Sequence, residues 1–146
     1  MEPLSVDALV AAGRLEAPAP AGMARRSLVL AREGIRAVSL LESPVPALWA
    51  CASAGRRALV AVAAHQGYAV VVSETAREAK LDDVLLAATG ASPELDGLVP
   101  AWQQLVVDAE EAGITVEVAW DDVEAAVQLA ESMIDLAIAL VDGAAQ

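Results

Sequence analysis

The stretch DDVEAAVQLAESMIDLAIALVD, residues 121–142, decides the fold. Val123, Val127, Ala130, Ile134, Ala137 and Val141 recur at steps of four and three, one narrow stripe of a helix. Met133, Ile138 and Leu140 widen that stripe. Asp121 stands where an N-cap belongs, and Glu124 follows three residues later, the spacing of a capping box. Glu131 and Asp135 interrupt what would otherwise be an apolar run, so this helix is no membrane span. A stripe this regular needs a second helix to cover it, from the same chain or from another subunit. Core packing within the chain is the expectation.

Upstream, Gly and Pro punctuate the chain. Ser5 can cap a short helix, Val6 to Ala12, which Gly13 stops, and Ala17-Pro18-Ala19-Pro20 is a stiff spacer. From Gly22 to about Glu42, Leu28, Ala31, Ile35, Val38 and Leu41 share one helical face while Arg25, Arg32 and Arg36 lie on another. Gly34 inside that helix costs roughly 1 kcal/mol against Ala, which suggests close packing there. Pro44-Val45-Pro46 breaks the chain before a long helix, Ala47 to Gln66, with Leu48, Cys51, Ala52, Leu59, Val62 and Ala63 inward and Gly67 at its stop. Tyr68 to Val72 reads as a short extended link. Another helix runs from Ser73 as N-cap to Thr89, closed by Gly90. Ser92-Pro93 opens the next, interrupted at Pro100 and ending before Gly113. Ile114 to Trp120 alternates and can be strand, loop or helix.

These segments predict an all-α chain, an up-and-down bundle of four to five helices with a short N-terminal helix. Residues 1–20 form the N-terminal helix and Pro/Ala spacer, 21–142 the bundle and 143–146 a tail. A competing α/β reading would make strands of Leu59–Ala64 and Ala69–Ser73. The alanine content before Gly67 argues against it, because Ala is the best helix former and a poor strand former.

Composition narrows the function classes. The chain has 146 residues, 57% of them hydrophobic, and a net charge of −12 from 9 basic and 21 acidic side chains. Mean hydropathy is +0.51 and the pI is near 4.2. That apolar fraction excludes whole-chain disorder, and the pI disfavours direct binding to nucleic acid. A single cysteine, Cys51, excludes a disulfide framework and any multi-Cys zinc site. The Met-Glu-Pro-Leu-Ser-Val-Asp start has no basic n-region and no apolar h-region, so a cytoplasmic protein without a signal peptide or membrane span is expected. The charge is uneven. Residues 1–73 carry 7 basic and 5 acidic side chains, net +2, whereas residues 74–146 carry 2 and 16, net −14. Such polarity indicates either a partner preference or acidic solvent faces on the later helices.

Catalytic constellations are few. His65 is the only histidine, and no HExxH or similar spacing surrounds it. Cys51 lies 14 residues before it. On one helix that separation is about 21 Å, too far for a Cys–His nucleophile pair. No Walker A, GxSxG or Gly-rich phosphate loop is present. The doublets Asp82-Asp83, Glu110-Glu111 and Asp121-Asp122 point about 100° apart on a helix, so they form no metal claw by themselves. No metal and no cofactor are implied. Arg56-Arg57, set among alanines, can pair with the acidic half or form a phosphate-binding patch with His65, extended by Arg25, Arg32 and Arg36.

Leu9-Val10-Ala11-Ala12-Gly13-Arg14-Leu15-Glu16, an Arg-bearing amphipathic helix, and Ala54-Gly55-Arg56-Arg57-Ala58-Leu59 through His65-Gln66-Gly67-Tyr68 together resemble actinobacterial HEPN-domain proteins (higher eukaryotes and prokaryotes nucleotide-binding). Trp49 to Tyr68 is similar to that family's helix with an aromatic start, a basic-Ala centre and a Gln-Gly-aromatic turn, and Asp121 to Val141 to its closing helix. The resemblance covers roughly residues 9–142. It implies an up-and-down bundle, commonly dimeric, of a kind found among ribonucleases and toxin components paired with a nucleotidyltransferase. The family's activity resides in an Arg-polar-x(4–6)-His motif, and this chain departs from it. The matching region, Leu105 to Gly113, has no Arg and no His, and its Asp108, Glu110 and Glu111 would repel RNA.

A non-catalytic HEPN-like bundle that dimerises or binds a partner with a basic surface, in a toxin–antitoxin or defence system, is therefore expected. Alternatives are a HEPN-type ribonuclease or nucleotide binder using Arg56, Arg57 and His65, and a structural subunit of a complex. Trp102 and Trp120, as exposed aromatics, and Val123, Val127, Ile134 and Val141 of the last stripe are the interface candidates.

Overall fold

The computed structural model describes residues 5–72, 78–90, 92–115 and 117–143. In chain order its elements are α1 (Val6–Ala11), β1 (Leu15–Glu16), α2 (Met23–Val38), α3 (Pro44–His65), β2 (Ala69–Val70), α4 (Glu78–Ala88), α5 (Pro93–Glu111) and α6 (Trp120–Gly143). The chain is an all-α bundle. α3 is the central helix, packed against α2, α4, α5 and α6, while α2 and α6 also pack on each other. Small residues put it there. Ala47, Ala52, Ala54, Ala58, Ala61 and Ala63 are buried along α3, so neighbouring helices approach its backbone from several sides. By length and composition α3 could cross a membrane, but 61% of that stretch is buried inside the bundle.

Contact is closest at Gly55. A Cβ there would lie 2.6 Å from Trp102 Cδ1 and 2.9 Å from its Nε1. The missing side chain makes room for the Trp102 indole, which donates a 3.0 Å hydrogen bond to the Ala52 carbonyl. Trp102 is 1% exposed, so it is a core anchor of α5, not the exposed aromatic the sequence suggested. Its polar N–H has its partner, as a buried indole requires.

The regular stripe of α6 is consumed in the same way. Val123, Ala126, Ala130, Met133, Ile134 and Ala137 are buried, and α3 is the element α6 contacts most. Glu131 and Asp135 are exposed. The helix opens at Trp120, one residue before the expected cap. Ala119 is the residue that caps it: its carbonyl accepts from Val123 N at 3.3 Å, and Asp122 Oδ2 accepts from Ala119 N at 2.9 Å. Asp122 therefore plays the reciprocal carboxylate of a capping box, shifted two residues from the Asp121/Glu124 pair.

Other boundaries move for identifiable reasons. Pro44-Val45-Pro46 is the first turn of α3 and not a break, since the first-turn N–H groups have no helical acceptor and proline loses nothing there. Pro100 does not interrupt α5, which runs from Pro93 to Glu111. Pro100 and Asp96 are both exposed, while buried Leu95, Trp102 and Leu105 hold both sides of the helix. Gly34 is not a close-packing site, because a Cβ there meets nothing within 4 Å. The link after Gly67 is extended, as expected: β2 pairs antiparallel with β1, Leu15 opposite Val70 and Glu16 opposite Ala69. Residues 114–115 and 117–119 form no strand. The Ser73 cap of the helix before Gly90 lies outside the described residues.

Candidate functional site

Arg56, Arg57 and His65 all sit on α3 but face different surroundings. The Arg56 guanidinium makes a bidentate pair with Asp82 of α4, Nε to Oδ1 at 2.8 Å and Nη2 to Oδ2 at 3.0 Å. It also lies over the Trp102 ring, 5.6 Å from the centroid. The two side chains are 31% and 17% exposed, so this pair stitches α4 to α3 in a half-dry setting. Arg57, one residue on, is exposed and donates from Nη1 to the Leu30 carbonyl of α2 at 3.3 Å. His65 is exposed in the last turn of α3, roughly 12 Å along the axis from Arg57. The three side chains do not converge on one point. Of the α2 arginines, Arg25 reaches Asp142 at 4.0 Å, while Arg32 and Arg36 line a cavity of about 230 Å³ opposite Glu131 and Asp135.

Cys51 is fully buried, and burial, with the Glu131 charge as a smaller cause, pushes its thiol up from 9.0 to about 11. A thiol held protonated at neutral pH is no nucleophile. Among the described residues no group of three or more His, Cys, Asp or Glu is placed to hold a metal ion.

The interface candidates separate by depth. Trp102, Val123 and Ile134 are core. Val127 and Val141 are half-buried, and Trp120 stands 47% exposed at the start of α6.

What sequence reasoning missed is an open groove between α5 and α6, with a volume of about 500 Å³. Leu48, Leu105 and Leu129 form its floor, and Asp108, Glu117 and Asp122 stand round it. Gln104 Nε2 holds Asp108 Oδ1 at 2.9 Å, and Asp122 is fixed by the Ala119 N–H. Among the described residues no Lys or Arg comes within 4.0 Å of these carboxylates. The groove thus offers an apolar strip edged by uncompensated negative charge. Its sequence signal was present but scattered: three acids at 108, 117 and 122, on two helices and the link between them. No protein-family model, no curated protein and no solved structure matches the chain.

Proposed function

We propose that the chain is a non-catalytic helical-bundle module that associates with protein, either a partner presenting a basic surface, a second copy of itself, or both. The α5–α6 groove carries this reading: an apolar floor of Leu48, Leu105 and Leu129 beneath Asp108, Glu117 and Asp122 suits an amphipathic basic helix. The HEPN resemblance supports a cytoplasmic toxin–antitoxin or defence setting, in which a nucleotidyltransferase encoded next to this protein is the expected neighbour. The ribonuclease alternative has little to rest on, since Arg56 is engaged by Asp82 and His65 lies roughly 12 Å along α3 from Arg57.

The test is calorimetric titration with a basic amphipathic helical peptide. The wild type binds with an affinity that falls as salt rises, and Asp108→Asn/Glu117→Gln weakens binding about 10-fold. His65→Ala leaves binding unchanged, and no variant cleaves RNA. Binding indifferent to the two carboxylates, or RNA cleavage abolished by His65→Ala, overturns the reading.

A further inference from the structure

α2 and α6 lie side by side on α3 and run antiparallel, since Arg25 near the start of α2 meets Asp142 near the end of α6. Their outer faces carry opposite charge at matching heights. Arg32 and Arg36 on α2 stand level with Glu131 and Asp135 on α6, and the four line one cavity. All four are exposed, yet among the described residues none of them forms an ion pair within 4.0 Å. Toward the start of α6 the groove continues into a cavity of about 610 Å³ that reaches Leu41 and Trp120, with Ile35 and Val127 in its lining. Trp120 is 47% exposed there, a large aromatic with no cover of its own.

We infer that this groove is the self-association face, occupied by a second copy of the chain across a two-fold axis parallel to α2 and α6. Charge selects both occupant and axis. A two-fold along the helices places the α2 of each copy over the α6 of the other and keeps residue heights unchanged. Arg32 and Arg36 of one copy then face Glu131 and Asp135 of the other, and both Trp120 side chains lie at the same end of the interface. A two-fold across the helices would stack α2 on α2 and α6 on α6, setting arginine against arginine and carboxylate against carboxylate. Like charges face to face disfavour that arrangement. The charges along the middle of the helices set the register, and the exposed Trp120 at one end of the groove supplies an aromatic contact. The inference rests on the association reading above but uses a different face from the α5–α6 groove.

Sedimentation equilibrium on charge-swapped variants tests it. The wild type is expected to dimerise. Arg32→Glu/Arg36→Glu makes both helices acidic at these heights, and Glu131→Arg/Asp135→Arg makes both basic, so each variant alone dimerises at least about 100-fold more weakly. Mixed one to one, the two variants form a heterodimer, because each acidic α2 then meets a basic α6 and the reverse. All four substitutions are at exposed positions, and circular dichroism checks that each variant keeps its helix content. A wild type that is monomeric at the highest attainable concentration overturns the inference. So do variants that still self-associate, or a mixture that stays monomeric. Peptide binding at the α5–α6 groove, measured on the same variants, separates the two readings: if it persists while dimerisation is absent, only the self-association face is wrong.

Discussion

Adding one methyl group at Gly55 should destabilise the bundle, although glycine is the poorer helix former. Ala gains about 1 kcal/mol of helix propensity over Gly in a helix interior. Against that gain, the new Cβ would sit 2.6 Å from Trp102 Cδ1 and 2.9 Å from Nε1, with Met133 Sδ at 3.2 Å. The thioether can move, being flexible and polarisable. The indole cannot move cheaply, because it is 1% exposed and bonded to the Ala52 carbonyl at 3.0 Å. Overpacking of a dense core costs about 1–3 kcal/mol. Loss of the indole hydrogen bond adds about 1 kcal/mol. The balance for Gly55→Ala is a net loss of about 1–3 kcal/mol. Gly34→Ala is the internal control, since its Cβ meets nothing within 4 Å. There the propensity term acts alone and should stabilise by up to about 1 kcal/mol. Urea unfolding followed by circular dichroism measures both, with unchanged m-values as the check that only stability moved. If Gly55→Ala is as stable as the wild type, the placement of α5 against α3 is wrong. The floor of the acidic groove would then be wrong with it.

Two further perturbations act on charge. Asp82→Asn leaves the half-buried Arg56 guanidinium without its carboxylate, and after allowance for the 31% and 17% exposure of the pair the expected loss is about 1 kcal/mol in urea unfolding. Replacing both partners by apolar residues of similar size recovers most of that loss if burial, not the pair itself, sets the cost. Cys51 gives the chain an alkaline limit. Its folded-state pKa of about 11 lies above the unfolded value of 9.0, so the unfolded state loses its proton first and stability falls as pH rises between those values. The loss amounts to roughly 2 kcal/mol by pH 11 and is absent in Cys51→Ala, as parallel denaturation curves at pH 8 and pH 10.5 would show.

The fold was legible where periodicity and punctuation agreed. α2 and α6 carry apolar stripes long enough to average out local ambiguity, and Gly13, Gly67 and Gly90 take positive φ where a helix stop was read. Proline misled because its effect depends on position. Pro44 costs nothing in a first turn, and Pro100 lies on the exposed face of a helix whose buried residues on either side hold it in place. Trp102 misled for another reason: nothing in the residues around it signals that Gly55, 47 positions earlier, leaves a slot for its ring. Contacts of that sequence separation are set by the packing of whole helices, and a single sequence does not carry them.

The charge asymmetry was legible in size but not in use. Among the described residues, Arg56–Asp82 and the 4.0 Å approach of Arg25 to Asp142 are the only ion pairs between the basic front and the acidic remainder. Among the described residues these two pairs neutralise little of it. The acidic residues of α5, of α6 and of the link between them are left to solvent or to a partner, while the arginines of α2 stand across a groove from carboxylates they do not touch. A net charge of −12 makes any self-association pay a long-range repulsion, which salt screens within about 10 Å at 0.1 M. Local complementarity across α2 and α6 opposes that repulsion at short range, and salt weakens it too. The two act in opposite directions, so dimer affinity should depend only weakly on ionic strength, while a basic peptide in the α5–α6 groove, attracted at every range, should be released steadily as salt rises. That contrast in salt dependence assigns the two faces their different occupants without any substitution at all.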